Sequence, residues 1–319
     1  MGEPTKFLGM EIRYYRELGF CTLTQSTYIE KLGHKFYPQQ IRQQTYFPTT
    51  PIETNVLETL KSAESEPTTT EPYHQLVGGI LYANICTRPD ISYAISILTQ
   101  QFSNPKHAHF KLALRVLAYL LRTSKFGLIL GGEEIHELIA FSDADFANCP
   151  TTRKSMGGFA IFFGNSLISW SAKKHRGIQA LSSTESEILQ YCHSIRELLW
   201  IQPLLFDMGF KFIQQATVLH GDNQPAEFIL KHEPTHNHRT KHMDLRIKFC
   251  GEVVRANKIV LRYINTKFNL ADIFTKPFPV TRFRELRRAF VHDLGEILRN
   301  SNVIKQSLNV LREFLPNRN

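Results

Sequence analysis

The chain has 319 residues, 42% of them hydrophobic, enough to bury more than one core, so two domains are expected. Lys and Arg number 38 against 29 Asp and Glu, a formal charge of +9; this suits an acidic polymer such as nucleic acid, and equally a solvated basic surface. Five widely spaced cysteines without a C-x-x-C pair argue against a disulfide framework or a structural zinc site, and no apolar run nears the about 18 to 20 residues that span a bilayer.

The start, Met1-Gly2-Glu3-Pro4-Thr5-Lys6, has no signal-peptide apolar region, and Lys6 stands where a myristoylation signal wants Ser or Thr. A soluble intracellular protein, cytoplasmic or nuclear and with no membrane partner, is expected. In chain order, Phe7 to Ile12 and Phe20 to Leu23 read as strands around a turn ending in Gly19, followed by a short helix from about Ser26. Pro48 to Pro72, rich in Thr, Glu, Ser and Pro, is expected to be an exposed linker. From Tyr73 to Tyr119, apolar residues at helical spacing, broken at Arg88-Pro89-Asp90 and Asn104-Pro105, predict three helices with a packing role.

Near Gly127 the pattern changes to short strands, at 126–130, 138–142, 159–163 and 167–170. A long helix from Ser183 to about Asp207 follows. Then come a strand at 217–220, helices at 225–231 and 244–256, a strand at 258–264 and a short helix ended by Pro277. Strands in succession followed by alternating helix and strand predict a mixed sheet with helices packed on it.

Four acidic positions fall at the ends of these elements. Asp143 and Asp145 share a face where an apolar strand closes. Ser182 and Glu185 match the S-x-x-E capping box, which gives Glu185 a local structural role. Glu187 has none and sits beside the apolar stripe Ile188, Cys192, Ile195, Leu199, although periodicity cannot choose between the two glutamates. Asp222 stands where a strand gives way to a helix opened by Pro225, a position an N-cap explains. Asp272 is isolated among Leu270, Ala271, Ile273 and Phe274. Singly each has an ordinary reading; together they are what a two-metal hydrolase needs. Hard Mg2+ takes oxygen ligands, and two ions about 3.5–4 Å apart serve an in-line displacement at phosphorus.

Phe141 to Ala147, Trp170 to Lys174, Ser182 to Glu187, Asp222 to Ala226, Arg239 to Arg246 and Leu270 to Pro277 form six ordered motifs over about 140 residues. In them the chain resembles the RNase H domain of copia-type retrotransposon Pol polyproteins. Upstream, Lys6 to Ile12, Tyr28 to Leu32, Leu76 to Tyr82 and Thr87 to Ile91 are similar to the end of the same element's reverse transcriptase and its connection. The resemblance implies an α/β fold, an RNase H-like mixed five-stranded sheet flanked by helices, preceded by a small α+β remnant of reverse transcriptase with a helical connection. The implied divisions are 1–47 (remnant), 48–72 (linker), 73–126 (connection), 127–277 (RNase H-like domain) and 278–319 (basic helical tail).

Carried over residue by residue, the catalytic and metal-binding acids are Asp143, Glu187, Asp222 and Asp272, with two Mg2+ ions for which Mn2+ can substitute. The implied activity is Mg-dependent cleavage of the RNA strand of an RNA:DNA hybrid, within or alongside the remainder of a Pol polyprotein. Candidate phosphate contacts are Lys173, Lys174 and Arg176, then Arg153, Arg239 and Lys241. Trp170 is read as core. The polymerase's Y-x-D-D motif is absent, so DNA synthesis is not expected. His232, His236, His238 and His242 match no recognised zinc spacing.

The chain departs from the family pattern at Phe146, Asn148 and Gly221 and across Asn237-His238. Gly221 is expected to loosen the strand that aims Asp222 and so to reduce activity. The loop Asn265 to Asn269 carries no histidine before the last Asp. The competing reading is a catalytically inactive retroelement fragment, a remnant or a host-recruited binding protein.

Overall fold

The computed structural model describes residues 2–36, 47–132, 137–147, 153–177, 179–210, 216–232, 243–297 and 309–315. The chain divides into two compact units, Met1–Gly132 with Pro277–Val310 and Glu133–Lys276 with Leu311–Asn319. No helix among the described residues is long and apolar enough to cross a membrane.

In the first unit, β1 (Lys6–Phe7), β2 (Met10–Tyr15), β3 (Phe20–Thr24), β4 (Phe126–Gly131) and β10 (His292–Asp293) form one antiparallel sheet in that order. Gly19, at φ 69°, supplies the left-handed residue that closes the turn between β2 and β3. The helices are α1 (Ser26–Phe36), α2 (Val56–Ser62), α3 (Tyr73–Cys86), α4 (Ser92–Thr99) and α5 (His107–Arg122). The three helical segments expected between Tyr73 and Tyr119 are thus present. Arg88, fully buried, forms a two-pronged pair with Asp90 at 2.9 and 2.8 Å. Tyr119 donates to the same carboxylate at 2.6 Å, and Arg88 also reaches the Thr123 carbonyl at 3.0 Å. A buried pair with every prong satisfied is tolerated, whereas removing one partner strands a charge at about 3–5 kcal/mol.

Three segments differ from the sequence reading. The strand at 126–131, grouped there with the strands that follow it, pairs with β3 from Phe20↔Gly131 to Leu23↔Leu128. The stretch 48–72, expected as an exposed linker, carries α2 and buries Ile52, Val56 and Ala63. The tail after 278 begins with α9 (Val280–Arg287), adds β10 to the sheet edge and continues as α10 (Leu294–Ile297). Its apolar residues Phe283, Leu286, Phe290 and Leu294 are buried, which removes them from water rather than leaving them on a free helix.

The second unit is built on β5 (Leu138–Asp145), β6 (Met156–Phe163), β7 (Ser166–Lys174), β8 (Thr217–Gly221) and β9 (Ile259–Tyr263), in the sheet order β7-β6-β5-β8-β9. The pairs β5–β6 and β6–β7 are antiparallel, while β5–β8 and β8–β9 are parallel. Helices α6 (Ser183–Asp207), α7 (Gln224–Lys231) and α8 (Asp244–Arg255) supply the crossovers that parallel neighbours require. This is the mixed five-stranded α/β sheet flanked by helices that the RNase H resemblance implies. Its core joins Leu138, Ala140, Phe159 and Ile161 of the strands to Ile188, Cys192, Ile195 and Leu198 of α6, and to Leu230, Ile247 and Cys250.

Strand alternation then fixes which side chains of β5 remain for other work. Leu138 and Ala140 belong to the core, and Ser142 on the same face meets Ser194 of α6 at 3.1 Å. Phe141 takes the alternate face, stacking on His220, and Asp143 follows it two residues on.

Candidate active site

Asp143 is brought to its position by the last turns of β5, paired in register with Gly158 of β6. A Cβ at Gly158 would lie 2.5 Å from the Phe274 Cβ and 3.2 Å from the Thr275 Cγ2. The missing side chain therefore lets the 3-10 turn Leu270–Phe274, which carries Asp272, sit directly on β6 beside Asp143.

In each of the other acidic segments a neighbouring residue caps the helix and leaves the acid for other use. Ser182 accepts from Glu185 N at 3.2 Å and starts α6, while Glu185 accepts from Leu181 N at 2.7 Å. The capping box is thus present, with the glutamate reaching one residue further back than the motif's usual donor. Asn223, not Asp222, caps α7 by accepting from Ala226 N at 2.9 Å. This corrects the N-cap reading of Asp222. Asn269 accepts from Ala271 N at 3.2 Å and donates to the Ser142 carbonyl at 3.0 Å, fastening the Asp272 turn to β5.

Carboxylate oxygens of Asp143, Asp222 and Asp272 all lie within 4.8 Å of one another. Asp143 and Asp272 are buried and Asp222 is half-buried. Glu187, 4% exposed, is not part of that triangle, but it feels the charges of Asp143 and Asp222. One of its oxygens accepts from Ala144 N at 3.2 Å; the other, Oε2, is buried without a hydrogen-bond partner among the described residues. Burial first, then Asp143 and Asp222, hold the Glu187 carboxyl well above the usual range. Burial and Asp272 push Asp143 up to about 7, against the pull of Lys276.

An all-oxygen donor set with a stranded buried carboxylate oxygen and two carboxyls resisting ionisation fits a hard divalent cation, which would satisfy the one and reverse the other. A protonated, hydrogen-bonded cluster would lack the second partner that Glu187 Oε2 needs.

Sequence reasoning passed over three groups here. Thr275 donates its hydroxyl to Asp143 Oδ2. Thr266 donates to Asp222 Oδ2 at 2.7 Å from the loop that carries no histidine. The Lys276 ammonium lies 2.9 Å from Asp272 Oδ1 and 3.9 Å from Asp143 Oδ2. Lys276 stood inside a quoted motif, four residues after Asp272, and that spacing was its signal.

Gly221 also reads differently in three dimensions. A Cβ there would fall on the Tyr191 hydroxyl, with Cζ 2.7 Å away. The bare backbone is filled by an α6 phenol rather than left loose, so the expected weakening at Gly221 has no packing gap behind it.

Of the basic candidates, Lys173 pairs with Gly157 and Gly157 with Ala144, so Lys173 stands two strands, about 10 Å, from the row next to Asp143. Lys173, Arg176 and Arg153 are exposed and Lys174 is half-buried. Arg239 and Lys241 lie outside the described residues. Trp170, read as core, is half-buried in β7 opposite Ala160.

No protein-family model matches the chain. It is 32% identical over 292 residues to the retrovirus-related Pol polyprotein from transposon TNT 1-94 of Nicotiana tabacum, covering 89% of this chain and 21% of that protein. To the corresponding polyprotein from transposon RE2 of Arabidopsis thaliana it is 34% identical over 239 residues, covering 75% of this chain and 16% of that protein. The chain thus spans about a fifth or less of the length of these relatives. Against the crystal structure of RNase H1 from Halobacterium salinarum NRC-1 the TM-score is 0.29 at 14% identity, over 44% of this chain and 94% of that one.

Proposed function

From the premise that this chain belongs to the Pol polyproteins of copia-type transposons, we propose that its second unit is a metal-dependent endoribonuclease that cuts the RNA strand of RNA:DNA hybrids. The observation that carries this reading is the meeting of Asp143, Asp222 and Asp272 within 4.8 Å, with the stranded Glu187 oxygen beside them.

Asp143 and Asp222 hold the metal most directly, and Glu187 and Asp272 complete two sites for Mg2+, with Mn2+ as a substitute. When bound, the two ions supply a nucleophilic water at neutral pH and stabilise the leaving 3′ oxygen. The residues do the remaining work. Thr275 and Thr266 fix the carboxylates they bond, and the Asn269 tie holds the Asp272 turn against β5. Lys173, Lys174 and Arg176 hold phosphates of the hybrid, and Arg153, Arg239 and Lys241 extend that contact.

In the same reading, residues 1–47 are the end of a reverse transcriptase and 73–126 its connection, with 48–72, the strand at 126–131 and the segment 278–310 packed into that first unit, while the second unit is the nuclease. The remainder of a Pol polyprotein is the natural protein partner. The setting is the cytoplasm or nucleus, where such hybrids form.

Purified protein is incubated with a labelled RNA:DNA hybrid in Mg2+ and in EDTA. Cleavage of the RNA strand in Mg2+ alone, lost in Asp143→Asn with hybrid binding retained, is the expected outcome. Full cleavage by that variant would overturn the assignment. Binding without cleavage by the unaltered protein would favour the inactive retroelement fragment instead.

A further inference from the structure

The acidic pocket already contains a cation of the protein's own. Lys276 follows the Asp272 turn immediately, and its backbone N–H and that of Thr275 both return to the Asp272 carbonyl, at 3.3 and 3.1 Å. Its base is thus fixed while its side chain, 32% exposed, keeps a route to water. The ammonium lies 2.9 Å from Asp272 Oδ1 and 3.9 Å from Asp143 Oδ2, touching two of the three carboxylates that converge.

We propose that Lys276 is a tethered counter-ion of the carboxylate pocket, holding the place of a divalent cation until one enters and leaving when it does. The inference rests on the metal-binding reading above and adds a competitor to it.

A single charge cannot balance this pocket. Three carboxylates meet within 4.8 Å and Glu187 has a buried oxygen without a hydrogen-bond partner among the described residues, while the ammonium contacts only Asp272 and Asp143. A doubly charged ion satisfies the same oxygens better, and repulsion then drives the ammonium outward. Asp145, at the open end of β5, also attracts Lys276 and gives the displaced side chain a second acidic neighbour. A lysine that merely braced the turn by its four-residue spacing from Asp272 would make the opposite prediction, since its removal would loosen a metal ligand.

The experiment is calorimetric titration of MgCl2 into the full chain and into Lys276→Met, without nucleic acid, in a buffer freed of metal by EDTA and dialysis. The variant should bind Mg2+ on the order of tenfold more tightly, because a competing charge has been removed. Equal or weaker binding by the variant, with the unaltered chain binding normally, would overturn the counter-ion role alone and leave the nuclease reading standing. Binding by the variant only would support the role in its strongest form. No binding by either protein would overturn both readings. Should Lys276→Met fail to fold, Lys276→Gln, which keeps a hydrogen-bond donor toward Asp272, carries the same comparison.

Discussion

The Tyr191 phenol occupies the space that a side chain on residue 221 would need, its Cζ 2.7 Å from where a Cβ at Gly221 would stand. Gly221 ends β8, one residue before Asp222, and Tyr191 lies on α6 one turn after Glu187. Two acid-bearing segments are therefore packed to each other through this pair.

Placing a side chain at this position should consequently harm this protein. Gly221→Cys is expected to cost about 1–3 kcal/mol by overpacking and to slow hybrid cleavage by moving Asp222. Pairing it with Tyr191→Ala should recover part of both losses. Denaturant unfolding and cleavage rates on the three variants check this; additive losses in the double variant would show that the two positions are not coupled.

Stability should fall with rising pH in the absence of metal. Asp143 titrates at about 7 in the folded chain against 3.8 ordinarily, and Glu187 shifts the same way. For Asp143, between those two pH values the folded state keeps a proton that the unfolded state releases, so the folded state loses ground as pH rises through that window, and Glu187 adds to the same fall. Mg2+ replaces those protons, so its stabilising effect should be small below the window and full above it. Melting curves from pH 4 to 8, in EDTA and in Mg2+, read both trends; parallel curves would contradict the metal assignment.

The two glutamates at the start of α6 should separate cleanly. Ser182→Ala removes the cap and should cost about 1 kcal/mol of stability, while Glu185→Gln keeps the capping acceptor; both should leave the Mg2+-induced rise in Tm intact. Glu187→Gln should instead abolish most of that rise and flatten the fall of Tm with pH in EDTA, because it removes a buried carboxyl whose ionisation burial, Asp143 and Asp222 oppose. A Glu185→Gln variant that lost the metal response would reverse the assignment.

Lys173→Ala with Arg176→Ala should weaken hybrid binding across all sequences and reduce the slope of log affinity against log salt by roughly one per removed charge. Turnover at saturating hybrid should change little. An unchanged salt slope would place the hybrid elsewhere on the unit.

Much of this was legible in one dimension. Alternation in 138–142 placed Asp143 at a strand end, and the S-x-x-E box marked Glu185 as a capping residue because a cap is a local contact of three residues, while Glu187 was chosen by the family resemblance. The pairing of 126–131 with β3 was not legible, since a short apolar strand offers the same edge to either sheet and its partner lies more than a hundred residues away. Asp222 and Asn223 are adjacent residues that both cap helices well, and only the backbone direction at Asn223 decided between them. Gly221 looked like a weakness because the phenol that fills its space comes from thirty residues earlier. Lys276 was passed over because a cation among acids is ordinary until distances show which acids it touches.

The first sheet is completed by a strand made after every strand of the second unit. Its β10 edge, at His292 and Asp293, pairs with Gly127 and Phe126, and Tyr119 of α5 meets Phe283 edge-on and accepts from Arg287 at 3.2 Å. On the ribosome, residues up to 132 must wait with that edge uncovered until His292 is made, and the later unit has all its own strands first. Synthesis order and completion order are inverted, so a chain stalled or clipped near residue 276 would release the complete sheet of the second unit attached to an unfinished, aggregation-prone partner.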